Sequence, residues 1–164
     1  MSKSAVRSAL STDDFEIRDA LFQLFQSIQE GVFIGSLESN DILKTLAANP
    51  YLKLMFGYEP NSTDSTIQPF DQKHFVDAKT RQVFVDQLIR DGSVIDYLLR
   101  LRRKDNTLIW VEVTARLDST GENKTRYINA LLRDVSERRK LEDQGRDVPH
   151  QLLQAEKLAA LGQT

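Results

Sequence analysis

Two imidazoles are the side chains of this sequence best suited to chemistry. His74, in Gln72-Lys73-His74-Phe75, has a ring nitrogen that could ligate haem iron or another metal. His150, which follows Pro149 and precedes Gln151-Leu152-Leu153, is the first candidate for a phosphoacceptor. The plainer reading places His74 as a surface or capping residue where a helix opens, and His150 as a solvent-facing side chain near a kink. No carboxylate pair, glycine-rich phosphate loop or Ser-His-Asp set stands out, so no catalytic and no metal-ligating residue is assigned. There is no cysteine, which excludes a disulfide framework, a thiolate zinc site, a thiol nucleophile and a cysteinyl flavin adduct.

With 164 residues and 40% hydrophobic composition, the chain suits one domain plus extensions around one ordinary core. A formal charge of −2 gives no basic excess, so neither nucleic acid nor an anionic membrane is favoured as a partner. No apolar run approaches the roughly 18 residues that span a bilayer, and Met1-Ser2-Lys3-Ser4 lacks a signal-peptide core. The expected location is cytoplasmic, without membrane contact.

The elements that would position any site are clearest from Val94 to Arg138. Ile95, Tyr97, Leu99 and Leu101 alternate with Asp96, Arg100 and Arg102, the period of a half-buried strand; Leu98 is the apolar exception. Asp105-Asn106 is expected to make a two-residue hairpin turn, since Asn tolerates positive φ. The second arm, Leu108 to Leu117, sets Ile109, Val111, Val113, Ala115 and Leu117 against Trp110, Glu112, Thr114 and Arg116. A third strand from about Thr125 to Arg133 carries Ile128, Ala130 and Leu132 on one side. Asp134-Val135-Ser136-Glu137 then fits a helix start, with Asp134 accepting from first-turn amides and Glu137 answering as in a capping box.

Residues 1–12 are expected to be a mobile N-terminus and 13–30 an amphipathic helix stopped by Gly31. Ile17, Leu21, Leu24 and Ile28 form one stripe of that helix; Phe15, Phe22 and Phe25 form another. Either the helix is tucked deeply onto its own sheet, or the phenylalanine stripe packs on another subunit. The second reading is favoured, and with it a homodimer whose interface holds Phe15, Phe22 and Phe25. Gly31 to Leu37 and Asp41 to Leu46 read as strands joined at Glu38-Ser39-Asn40. Asn49-Pro50 caps a short helix that Gly57 ends. Glu59 to Lys73 reads as loop or short broken helices, and Phe75 to Arg90 as a helix closed by Asp91-Gly92.

The runs Leu101-Arg102-Arg103-Lys104-Asp105-Asn106, Trp110-Val111-Glu112-Val113 and Arg133-Asp134-Val135-Ser136-Glu137-Arg138 resemble the C-terminal half of a PAS sensor domain. Gly31-Val32-Phe33, Ala48-Asn49-Pro50-Tyr51 and Phe56-Gly57-Tyr58 extend the resemblance over about Gln29 to Arg139. It implies an α+β fold: a five-stranded antiparallel sheet with short flanking helices, an N-terminal amphipathic helix and a C-terminal signalling helix, with the PAS domain over 31–134. The sequence departs from the family in having Asn106 where glycine is usual. Asn61-Ser62 stand where acidic residues often bridge to the lysine matching Lys104. The cavity of this fold would be bordered by Leu99, Leu101, Val113 and Leu132. Haem-binding relatives carry their histidine on a helix that does not include His74. Flavin photosensors use a reactive cysteine and usually a glutamine at the position of Leu132. No cofactor is therefore expected, although a small molecule or flavin held non-covalently is compatible with the apolar inner faces, as is a filled core.

From 135 to 164 the sequence reads as a signalling linker, charged through Glu137-Arg138-Arg139-Lys140-Leu141-Glu142-Asp143, interrupted at Gly145 and Pro149, with a four-three spacing at positions 141, 145, 148, 152, 155 and 159. Ala155-Glu156-Lys157-Leu158-Ala159-Ala160-Leu161-Gly162-Gln163 resembles the opening of the dimerisation and phosphoacceptor helix of sensor histidine kinases. His150 lacks the acidic neighbour and later asparagine or proline of that family's histidine motif. By resemblance the chain is a non-catalytic sensory and dimerisation module of two-component signalling, linked to kinase domains of the same chain and then to a response regulator. Signal transmission would run through Asp134, Val135, Ser136 and Glu137. The alternatives are a ligandless dimerisation scaffold and a domain that binds a small ligand.

Overall fold

The structure, a computed structural model, describes residues 13–119 and 125–147. Helix α1 (Asp14–Ser27) leads to β1 (Gly31–Leu37) and β2 (Leu43–Ala48), then the short α2 (Pro50–Phe56). Two 3-10 turns (Asp64–Thr66 and Gln72–His74) precede α3 (Ala78–Asp91). Strands β3 (Ser93–Arg102), β4 (Leu108–Ser119) and β5 (Arg126–Asp134) follow, and α4 (Ser136–Asp147) leaves from the last of them. The strands form one antiparallel sheet in the order β2-β1-β5-β4-β3, so the first strand lies beside the last and β2 and β3 are its edges. This is the expected α+β architecture.

One face of the sheet is covered by α2, α3 and the segment between them. The alternation read for β4 and β5 is observed: Ile109, Val111, Val113, Ala115 and Leu117 are buried, as are Ile128, Ala130 and Leu132. Aromatic rings fill the space above them. Phe33 meets Phe70 edge-on at 5.1 Å between centroids, Phe70 stacks on Phe84 at 5.4 Å, and Phe84 meets Tyr97 at 5.1 Å. Burying each such side chain contributes roughly 1.5–3 kcal/mol, which is what holds the short, separately marginal helices to the sheet.

Asn49 and Gly57 bound α2 as expected: the Asn49 side chain accepts from Leu52 N, Pro50 opens the helix, and Gly57 closes it at φ 83°. Asn49 does more than cap. It is fully buried, its Oδ1 also accepts from Val32 N at 2.8 Å, and its Nδ2 donates to the carbonyls of Phe25 (3.1 Å) and Glu30 (2.9 Å). One amide thereby joins the end of α1, the start of β1 and the start of α2, using its donors and acceptors on all three.

Several boundaries differ from the sequence reading, each for a local reason. In β3 the core position belongs to Val94, which is buried, while Ile95 is 75% exposed. Two residues, Ile95 and Asp96, face Thr114 alone between the Val94–Ala115 and Tyr97–Val113 pairs, and Asp96 takes φ 49°, so a bulge resets the alternation. A second bulge lies on β2, where Leu46 is the extra residue between Ala47 and Thr45 opposite Ile34 and Gly35.

The hairpin turn is centred on Lys104-Asp105 rather than Asp105-Asn106. Asn106 N donates to Arg103 O, Arg103 N donates to Thr107 O, and Asn106 takes the left-handed position at φ 71°. β2 begins at Leu43, two residues later than expected, because Asn40 and Asp41 both adopt positive φ and prolong the turn. α1 ends at Ser27 because Ile28 is already extended. α3 begins at Ala78, where Asp77 caps Thr80 N; Phe75 instead pairs with Leu101 in an isolated bridge. α4 continues through Gly145, where an interruption was expected, so this glycine is carried inside a regular helix at a cost of about 1 kcal/mol relative to alanine. The N-terminal 12 residues, Pro149, His150 and the kinase-like run lie outside the described residues.

Candidate functional site

The point where β5 becomes α4 is tied to the beginning of β4, at Trp110. Val135, buried, donates its N–H to Trp110 O at 2.8 Å; Trp110 N donates to Ser136 Oγ at 2.9 Å; and Ser136 N donates to Asp134 Oδ1 at 2.9 Å. Arg139 N then donates to Val135 O at 2.9 Å and begins the helix. Asp134 accepts a first-turn amide as expected. The amide that Asp134 receives is that of Ser136, the Ser136 hydroxyl is turned to Trp110 N, and Glu137 is exposed.

Two side-chain contacts continue the tie beyond the first turn. The Arg139 guanidinium lies 4.4 Å from the Trp110 ring centroid, and Arg100, paired with Trp110 across β3 and β4, lies 4.6 Å from it. Glu112, whose side chain is 15% exposed, bonds Arg138 at 2.6 Å and Arg133 at 2.8 Å. Arg138, with Arg133 adding to it, holds the Glu112 carboxyl below its ordinary value. Sequence reasoning missed Trp110, Glu112, Arg138 and Arg139 as parts of this junction. Glu112 and Arg133 stand directly opposite in the β4–β5 register, a pairing that a strand alignment with opposite charges can find.

The other residues singled out from sequence lie elsewhere. Leu99, Leu101, Val113 and Leu132 are each at most 1% exposed and belong to the packed core against α2 and α3. A groove of about 660 Å³ opens instead on the uncovered face of the sheet, where Val32, Ile34, Ile95, Thr114 and Leu131 contribute to its walls. In the single chain α1 buries none of its residues. Phe15 is 80% and Phe22 57% exposed, while Phe25 is partly covered and its carbonyl is held by Asn49. The intramolecular alternative, a helix tucked deeply onto its own sheet, is therefore not the arrangement observed.

His74 is a correction: it is 2% exposed rather than at the surface. Its Nδ1 lies 2.7 Å from the Arg102 carbonyl, which can only accept, so Nδ1 carries the proton and Nε2 accepts from the Tyr58 hydroxyl at 3.2 Å. Its ring also meets Phe56 edge-on at 5.1 Å. Burial pushes the imidazole below the ordinary histidine value, against the Arg102 carbonyl, which favours the charged form. With both ring nitrogens engaged, His74 is a structural link between the Gln72–His74 turn and β3. Among the described residues no group of three or more His, Asp or Glu is arranged to hold a metal ion, and no helix is long and apolar enough to cross a membrane.

A sheet of this order, flanked by short helices and with a helix leaving directly from its last strand, defines the α+β class of the domain. The family model described as PAS domain matches residues 29–137, and the chain belongs to that family. Solved structures with the same fold include a PAS domain from Colwellia psychrerythraea, at 13% identity and TM-score 0.58, covering 74% of this chain and 98% of that one. A PAS domain from a two-component sensor histidine kinase matches at 16% identity and TM-score 0.56, covering 74% and 98%. A sensory box histidine kinase/response regulator from Burkholderia thailandensis E264 matches at 16% identity and TM-score 0.57, covering 77% and 92%. A search of curated proteins found no match.

Proposed function

We propose that the chain is the sensory and dimerisation module of a cytoplasmic histidine kinase, and that its work is coupling rather than catalysis. The observation that carries this reading is the junction at Trp110: the strand in the sheet and the first turn of α4 share hydrogen bonds, so a shift in one changes the packing of the other. A signal must favour one of two arrangements energetically to move the equilibrium between them. The exposed phenylalanines of α1 supply a surface for a second copy. The kinase-like run at residues 155–163 supports an output to kinase domains of the same chain and, through them, to a response regulator.

Asp134→Ala in the intact kinase tests this: input and output should separate while the domain stays folded, and unchanged regulation would count against the reading. A second reading is favoured by the packed positions of Leu99, Leu101, Val113 and Leu132: a ligandless module that holds two kinase chains together. An absorption spectrum of the purified chain tests a third, cofactor-dependent reading, which requires haem or flavin bands.

A further inference from the structure

Tyr58, Lys73, His74, Arg103, Lys104 and Asn106 line a concavity of about 190 Å³ between the Gln72–His74 turn and the β3–β4 hairpin. Three cations converge on it. Among the described residues none of Lys73, Arg103 and Lys104 is in an ion pair. Two carboxylates nearby offset part of this charge while bonding neutral donors: Asp71, which acts on His74, accepts from Lys73 N at 3.0 Å, and Asp105, which acts on Arg103, accepts from Thr107 N at 3.0 Å and Thr107 Oγ1 at 2.6 Å. Lys104 Nζ rests 5.3 Å from the Tyr58 ring centroid. Arg103 Nε is enclosed and has no protein acceptor, although buried donors are almost always paired.

We propose that this concavity binds a small dissolved oxyanion, a phosphate or carboxylate group held by Lys73, Arg103 and Lys104. Like charges gathered around a concave surface raise its potential for anions, and a guanidinium offers the planar donor fork that carboxylate and phosphate oxygens match. Its size agrees: at about 30 Å³ for each water in the liquid, a space of about 190 Å³ admits one such group with a few waters. His74 and Tyr58 form the wall, so an anion seated there perturbs the imidazole directly.

Arg103 also lines a second cleft, with Tyr51, Leu54, Met55 and Asp134. The same side chain therefore stands between the anion site and the residue that ends β5. An anion that draws Arg103 toward itself alters the charge beside Asp134; this coupling rests on the signalling reading, whereas the binding site does not.

The test is an NMR titration of the 164-residue chain with sodium phosphate and, separately, sodium acetate, at an ionic strength held constant with sodium chloride, following the His74 ring signals. A saturable shift with either anion supports the site; phosphate alone assigns phosphorylated compounds, acetate alone carboxylates. The exposed pair Lys73→Gln/Lys104→Gln should keep the fold and weaken binding about tenfold or more. No saturable shift, a shift that chloride reproduces, or an unchanged affinity in the double variant would overturn it. Amide exchange in α4, measured with and without phosphate, tests the coupling by itself: unchanged exchange alongside a bound anion removes the coupling and leaves the site.

Discussion

Trp110 and Ser136 are joined at 2.9 Å by a hydrogen bond from a strand amide to a helix-start hydroxyl, and the carbonyl of the same tryptophan receives the amide of Val135. The beginning of β4, at Trp110, thus holds both residues through which the chain passes from sheet to helix. Ser136→Ala removes the hydroxyl from a half-buried amide and should cost about 1 kcal/mol. Hydrogen exchange should speed up selectively in the first turn of α4, while α3 stays as protected as before.

Glu112 anchors α4 electrostatically through Arg138. Its folded value is depressed, so its contribution is present above the ordinary glutamate range and is lost as pH falls through the depressed value. Acidification below about pH 4.5 should loosen α4 more than it loosens the core. Glu112→Gln should show that looser helix at neutral pH, read from the exchange rates of the amides after Ser136.

Asn49→Ala strands the amides of Val32 and Leu52 and two carbonyls at the base of α1. The expected loss is roughly 3 kcal/mol, measured by urea denaturation. α1, held to the domain here by the bond at Phe25, should lose protection beyond the global effect. Asn49→Asp should not rescue it, since a carboxylate cannot donate to Phe25 O and Glu30 O.

His74 gives a pH dependence of the opposite kind from a histidine that gains a carboxylate. Its folded value lies below the unfolded one, so the unfolded chain binds the proton more readily. The stability owed to it is complete above the unfolded value near about pH 6.5 and declines as pH falls from there through the folded value. The midpoint of thermal unfolding should therefore drop between about pH 7 and pH 5. His74→Gln should be less stable at pH 7 but flatter across that interval.

Phe15→Ser/Phe22→Ser changes two exposed side chains. Sedimentation should show a dimer for the original sequence and a monomer for the double variant, with unfolding free energies from urea titration, compared at a concentration low enough for both to be monomers, within about 0.5 kcal/mol of each other. A variant that still sediments as a dimer would move the association surface elsewhere, the open sheet face being next to examine.

The antiparallel sheet was legible because β4 and β5 alternate without a break, and the cap at Asn49 and stop at Gly57 were legible because each uses a residue type suited to one backbone task. β3 was harder. Val94 and Ile95 are both apolar, so nothing in the pattern shows that Asp96 adopts a positive φ and exchanges their roles. His74 sits among polar neighbours, Gln72 and Lys73, and its burial comes from Phe56, Tyr58 and Arg102, which are distant in sequence. The junction was legible only along the chain, at Asp134 to Ser136. Its other half, Trp110 and Glu112, emerges once the register of β4 against β5 is known.

Both outer strands of the sheet carry a bulge, at Leu46 on one side and at Ile95-Asp96 on the other. A strand with an extra residue presents its free amides and carbonyls out of step with any straight strand that approaches. Copies of the domain are therefore poorer templates for one another at their margins, which disfavours growth into ribbons or fibres from either edge. In the proposed paired assembly, the same bulges would let crowding press copies together without stitching them into a polymer.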